Sequence, residues 1–256
     1  METIMEAKIT SVYDEGAVER TSLIGAKGFA VLIEIDGQKI LFDTGMRGRY
    51  LLHNLSYLEV KPDEIDKVVV SHGHICHTGG VDDLLRNREK PLKIYAHQSA
   101  VGGKKLFRPK GISIPEDQTG KADIIELNEW SEITDKLFIS SPMDIGDGLA
   151  EVFMVLHTRK GPVVIAACSH AGLDKVMESV KSKFGVYPRG YIGGVHMGKK
   201  DRKKAEETAL LFEEKNCHSL YLNHCTGVNG IMYIRTILGL EAVKNFYVGT
   251  AASFDI

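Results

Sequence analysis

The sequence predicts a layered α/β fold, two sheets packed together with helices on the outside. Two observations carry this expectation. The first half reads as hairpins and short strands, and the last third alternates strand with helix. A third observation places the chemistry: several histidines follow β-branched runs directly, each with glycine nearby to let the backbone turn.

The elements follow in chain order. Lys8 to Tyr13 is a strand. Phe29 to Ile35 and Lys39 to Phe42 flank Asp36-Gly37, a strong signal for a tight hairpin. The second arm runs into Asp43-Thr44-Gly45. A short helix over Arg49 to Leu58 precedes Pro62-Asp63-Glu64-Ile65 and the strand Asp66 to Val70. A helix covers Val81 to Arg88, with Asp82 and Asp83 charging its first turn, and Leu92 to Ala96 is the next strand. Residues 98–122 hold Gly102, Gly103, Pro109, Gly111, Pro115 and Gly120 without clear periodicity. They read as a loop-rich insertion and a candidate pocket wall. Strands are expected at Ile124 to Leu127, Leu137 to Ser140, Glu151 to His157 and Val163 to Cys168. Helix Leu173 to Phe184, a strand near Tyr191, helix Lys203 to Lys215, strand Leu220 to Leu222, helix Gly230 to Leu238 and an extended Phe246 to Val248 complete the chain.

Composition sets the bounds. The chain has 256 residues, 43% apolar and 26% charged, enough for a sizeable core in a single domain over 1–256. A net charge of -2 gives no electrostatic case for nucleic acid or an acidic membrane. The opening Met1 to Glu6 lacks the basic start and apolar run of a signal peptide, and the apolar run Val163 to Cys168 is far too short to span a bilayer. A cytoplasmic protein with a small-molecule substrate is the expectation. Each of the four cysteines lies within two residues of a histidine, which suits metal chemistry better than a disulfide framework.

The densest signal is Ser71-His72-Gly73-His74-Ile75-Cys76-His77-Thr78-Gly79-Gly80, three histidines and a cysteine in six positions after a buried strand. Imidazole and thiolate are strong ligands for zinc and similar ions. Later segments repeat the pattern more sparsely. Val163 to Cys168 exits into Ser169-His170-Ala171-Gly172, a strand near Tyr191 leads to Gly193-Gly194-Val195-His196, and Leu220 to Asn223 exits into His224-Cys225-Thr226-Gly227. His196 lines a pocket or is a loop histidine bonded to a carbonyl; Cys168 and Cys225 read as small residues buried at strand ends. Lys199 and Lys200 open a basic run beside His196, either a contact for a phosphate or carboxylate or a solvated lysine face. His97, His157 and His53 read as structural.

Taken together, Leu41-Phe42-Asp43-Thr44-Gly45 and the His72–Gly80 segment resemble the metallo-β-lactamase superfamily, whose loop is normally His-x-His-x-Asp-His. The later segments around His170, His196 and His224 look like the branch that includes the synthase of methanopterin biosynthesis. The resemblance implies a four-layer αββα sandwich holding one or two divalent metal ions, zinc first among them. It implies that His72, His74 and His170 hold one metal and that His77 and His224 help hold a second. Asp43 then sits behind the ligands, with Cys168 as a neighbour of one.

Cys76 departs from the pattern, standing where the superfamily has a metal-binding aspartate. Either its thiolate binds metal, favouring zinc over manganese or magnesium, or the second site is weak. The implied activity is hydrolysis, or pterin transfer by a synthase, on a small anionic substrate that is phosphorylated or pterin-like. The alternative is a non-catalytic protein that binds metal and ligand, with a degenerate second site at Cys76.

Overall fold

The computed structural model describes residues 5–105, 108–198 and 201–256, with the backbone alone over 103–110. It divides into two compact units. One comprises Met1–Glu129, Ser141–Val152 and Tyr247–Phe254; the other comprises Trp130–Ser140, Phe153–Phe246 and Asp255–Ile256.

The first unit is built on a seven-stranded sheet. Its strands are β1 (Glu6–Tyr13), β2 (Ala30–Ile35), β3 (Gln38–Phe42), β4 (Lys67–Val69), β5 (Leu92–Ala96), β8 (Ala122–Glu126) and the last strand of the chain, β18 (Ala251–Asp255). Their order is β18-β1-β2-β3-β4-β5-β8. β6 (Gly103–Lys105) and β7 (Arg108–Lys110) form one separate ribbon, β11 (Met143–Gly146) and β12 (Leu149–Glu151) another. The β2–β3 hairpin turns through Asp36 at φ 51° and Gly37 at φ 73°, the paired left-handed conformations of a tight two-residue turn.

From β3 onward the pairing is parallel, with Leu41, Val68, Ile94 and Ile124 in one cross-strand row. That row packs with Leu51 and Leu55 of α1 (Gly48–Tyr57) and with Leu84 and Leu85 of α3 (Val81–Arg86). Full burial of each such leucine stabilises by about 2 kcal/mol, so the row fixes where β3, β4 and β5 end.

The second unit carries its own seven-stranded sheet, in the order β17-β16-β15-β14-β13-β10-β9. The strands are β9 (Ser131–Thr134), β10 (Leu137–Ile139), β13 (Met154–Thr158), β14 (Gly161–Ala166), β15 (Gly190–Gly193), β16 (Ser219–Leu222) and β17 (Val243–Asn245). The last four are parallel, with Ala166, Gly193, Leu222 and Asn245 level at their carboxyl ends. Gly193 has φ 123°, and a Cβ there would lie 1.8 Å from the Ala166 carbonyl oxygen, so only glycine lets β15 lie against β14 at this point.

Helix α4 (Leu173–Phe184) buries Leu173, Val176, Met177 and Val180, an i, i+3, i+4, i+7 stripe, and ends at Gly185 in the left-handed conformation. Helix α5 (Arg202–Glu214) lays Phe212 edge-on to Tyr191 of β15 at 5.5 Å, and α6 (Gly227–Leu238) follows the turn after β16.

Most expected elements are present within three residues, and four departures have a structural account. Glu151 to His157 is two strands, since Glu151 ends β12 in one unit and Met154 begins β13 in the other. Helix α3 stops at Arg86, because the buried Arg88 guanidinium donates to the carbonyls of Pro62, Ile65, Lys90 and Pro91. Extended pairing near the C-terminus falls on Val243–Asn245 rather than Phe246 to Val248, where Val248 only bridges Ala17. The ligand segment itself contains one helical turn, α2 (Ile75–Thr78). Strands Ser131–Thr134 and Ala251–Asp255 were not expected. Among the described residues no helix is long and apolar enough to cross a membrane.

Candidate metal centre

Each unit gathers its candidate ligands at the carboxyl ends of its parallel strands, the usual place for sites in such sheets. In the first unit Asp43 follows β3 and Ser71 to His77 follow β4.

Asp43 is the hub. Fully buried, at φ 62°, its carboxylate accepts from the Ser71 N–H at 2.7 Å on Oδ1 and from the Ser71 hydroxyl at 2.7 Å on Oδ2. The same Oδ2 lies 2.7 Å from Nδ1 of His77, and Ser71 Oγ lies 2.9 Å from Nδ1 of His72. An ionised carboxylate only accepts, so His77 donates from Nδ1 and Ser71 donates its single proton to Asp43. Ser71 Oγ is then left to accept from Nδ1 of His72. One buried charge thereby sets the tautomer of two imidazoles, and both present Nε2 lone pairs.

The rings of His72 and His77 lie 4.2 Å apart between centroids. His72 Nε2 sits 2.9 Å from Nδ1 of His74. Two nitrogens bound to one tetrahedral zinc at about 2.05 Å would be about 3.3 Å apart, so this pair is placed to share an ion after a small movement. The Cys76 sulfur and a ring nitrogen of His77 lie within 4.8 Å of each other, with Cys76 half-buried. The donor set of imidazoles and a thiol suits zinc, and the convergence of His72 with His74 is the fit.

The Asp43-Thr44-Gly45 turn also holds the ligand segment mechanically. Thr44 donates from both its N–H and its hydroxyl to the His77 carbonyl, at 2.8 and 3.0 Å, and its hydroxyl oxygen accepts the Gly80 N–H at 3.1 Å. The Cys76 carbonyl accepts the Phe29 N–H at 3.1 Å. A Cβ at Gly80 would lie 2.3 Å from the Thr44 carbonyl oxygen, so this close approach requires glycine.

Sequence reasoning missed Ser71 as the link in this network and missed Glu151. The Glu151 carboxylate, buried at the end of β12, lies 3.9 Å from Nδ1 of His72. Nothing near Glu151 in the chain marks it; only the fold brings it to the ligand segment.

In the second unit the parallel strands deliver Cys168, Ser169 and His170 after β14, His196 after β15, and His224 with Cys225 after β16. Ser169, His196 and His224 have φ of 53°, 47° and 47°, strain of the kind that collects at functional sites. The Tyr191 hydroxyl donates to the Gly194 carbonyl at 2.8 Å, so Ser169 must donate to it at 2.5 Å, which ties two of the three turns together. The rings of His170 and His196 lie 4.0 Å apart.

Cys168, His196 and Cys225 have donor atoms all within 4.8 Å of one another. Burial opposes ionisation of the Cys225 thiol, but contacts with Cys168 and His196 and the nearby His224 outweigh it and hold the thiol well below its usual range. The small residue expected at this strand end thus has Cys168 and His196 as close neighbours.

Other expected positions resolve individually. His97 caps the turn that follows it, accepting the Ser99 N–H, and His53 Nε2 lies 2.7 Å from the Ser22 carbonyl oxygen. Burial pushes the Cys217 thiol up, which leaves it unreactive. Lys199 and Lys200 lie outside the described residues. Beside them Lys204 reaches the His196 carbonyl at 2.7 Å.

Comparison with known proteins agrees with this architecture. A model of the metallo-beta-lactamase superfamily matches residues 24–180, more than half of the sequence, and the chain belongs to that superfamily. The chain is 25% identical to the 7,8-dihydropterin-6-methyl-4-(beta-D-ribofuranosyl)-aminobenzene-5'-phosphate synthase of Methanocaldococcus jannaschii, an alignment that covers 86% of this chain and 87% of the synthase. Among solved structures, Tm1679, described as a metal-dependent hydrolase of the beta-lactamase superfamily, superposes with a TM-score of 0.78 at 22% identity, covering 98% of this chain and 100% of its own. Zinc-bound PqqB from Methylobacterium extorquens shares the fold at a TM-score of 0.62 and 13% identity, covering 96% of this chain and 99% of its own.

Proposed function

We propose that this chain is a metal-dependent enzyme acting on a small anionic substrate, phosphorylated or pterin-like, by hydrolysis or by pterin transfer. The observation that carries the reading is the Asp43–Ser71 network, which holds His72 and His77 by their Nδ1 atoms and leaves Nε2 of each as the candidate metal donor. A buried carboxylate with three donors is a costly arrangement for packing alone and a useful one for holding ligands.

In this reading His72, His74 and His170 would hold one divalent ion, and Cys76, His77 and His224 a second. The thiolate makes zinc the preferred metal. The share given to His170 and His224 draws on the superfamily resemblance and on their positions after β14 and β16. A divalent metal held there would polarise a phosphoryl or carbonyl oxygen and acidify a bound water. The chain's own residues hold the rest in place. Asp43 fixes the imidazole tautomers, Thr44 and Gly80 lock the ligand turn, and Glu151 adds negative charge beside His72.

The similarity to the M. jannaschii synthase supports the pterin class of substrate. Cys76 in place of the usual aspartate favours one competing reading, a protein that binds metal and pterin without turnover. The test offers the zinc-loaded protein generic phosphodiesters, lactones and a dihydropterin pyrophosphate with an aminobenzene acceptor. Turnover that falls about 100-fold or more in His74→Ala supports the enzyme. Tight pterin binding with no turnover of any substrate contradicts it and supports the binding protein.

A further inference from the structure

We infer that Cys168, His196 and Cys225 form a binding site for a thiophilic metal ion of the zinc class, its three ligands all drawn from the second unit. Its three ligands come from the turns after three adjacent parallel strands, β14, β15 and β16, whose ends are in register. Their donor atoms all lie within 4.8 Å of one another. Two sulfurs bound to one tetrahedral zinc at about 2.3 Å are about 3.8 Å apart, so the trio needs only small side-chain movements to close on an ion. A disulfide would instead require the sulfurs to come within about 2.05 Å.

The backbone is shaped around these groups. A Cβ on residue 194 would lie 2.4 Å from Cys225 Sγ, so Gly194 leaves the sulfur its place. The His196 N–H donates to that sulfur at 3.2 Å, which fixes where the sulfur sits. The carbonyls of Ala167 and Cys168 lie 3.9 and 3.8 Å from the sulfur, long contacts for a thiol that is itself a weak donor. His196 stands in the left-handed conformation, and Lys204 pins its carbonyl at 2.7 Å.

Two thiolates and a neutral imidazole balance the charge of a dication, and three protein ligands leave one position open for water or substrate. Metal binding here displaces two thiol protons and involves no electron transfer. The site needs none of the ligands of the first unit, so it stands or falls apart from the proposed function.

The test is X-ray absorption at the zinc edge on the zinc-loaded full chain carrying Cys76→Ser. That substitution changes a half-buried residue and removes the Cys76 thiol of the first unit. Sulfur scattering at about 2.3 Å is expected to persist in this variant. Nitrogen and oxygen scattering alone would overturn the site. A second arm uses His72→Ala/His74→Ala, which should retain about one zinc per chain, still with sulfur in its shell. Loss of all bound zinc from that variant would also overturn the site. Cobalt reconstitution adds a third reading. The near-ultraviolet thiolate-to-cobalt band should survive Cys76→Ser and vanish in Cys168→Ser/Cys225→Ser, and a band lost with Cys76 alone would contradict the assignment.

Discussion

Asp43 concentrates more of the site's chemistry than any ligand. Its two oxygens receive the Ser71 N–H, the Ser71 hydroxyl and Nδ1 of His77, with no exposure to water. Asp43→Asn keeps the shape but replaces one acceptor oxygen by a donor, so at least one of these bonds is lost and a tautomer is freed. Zinc affinity measured by chelator competition should fall about 10- to 100-fold, the usual cost of losing a group behind a ligand. An unchanged affinity would remove Asp43 from the site. Cys76 permits a prediction of opposite outcomes. With the thiolate a working ligand, Cys76→Asp should shift the metal preference away from zinc and toward manganese, read as relative occupancy in mixed-metal dialysis. A rise in zinc occupancy would instead mark Cys76 as the scar of a lapsed site.

The strands and turns explain why these residues meet. In both units the parallel strands end level, and the candidate ligands occupy the turns that follow. The ligand turn is clamped where Gly80 passes the Thr44 carbonyl with no room for a side chain. Gly80→Ala should therefore destabilise by about 1–3 kcal/mol through overpacking, a drop of several degrees in a thermal melt, with a parallel loss of zinc affinity. A melt that does not move would show that the turn yields freely.

Much of this was legible in the sequence, for physical reasons. Leu173–Phe184 announces itself because its apolar residues recur at helical spacing and glycine closes it. The ligand segment stands out because histidine is rare and clustered. The illegible parts are those that depend on distant contacts. Ser131–Thr134 and Ala251–Asp255 are edge strands with few β-branched residues, and pairing rather than composition makes them strands. Glu151 and Cys225 acquire their neighbours only through the register of strands far apart in sequence, which no local pattern encodes.

At the scale of the whole molecule, bound metal couples to stability. An ion that binds only the folded chain stabilises it by about 2.7 kcal/mol at a concentration 100 times its dissociation constant. Zinc should therefore raise the unfolding midpoint and a chelator should lower it. The rise should shrink in His72→Ala, while a zinc effect of equal size in that variant would mean that the first unit's histidines bind no metal. This coupling suits a fold in which left-handed backbone at Asp43, Ser169, His196 and His224 concentrates strain beside the candidate ligands.

The most direct test of the central claim, that the segment organised by Asp43 binds metal, is anomalous diffraction at the zinc edge from crystals grown with the metal retained. A peak is expected about 2.1 Å from Nε2 of His72 and from Nδ1 of His74. Crystals that show zinc elsewhere in the chain but no peak beside those two nitrogens would contradict it.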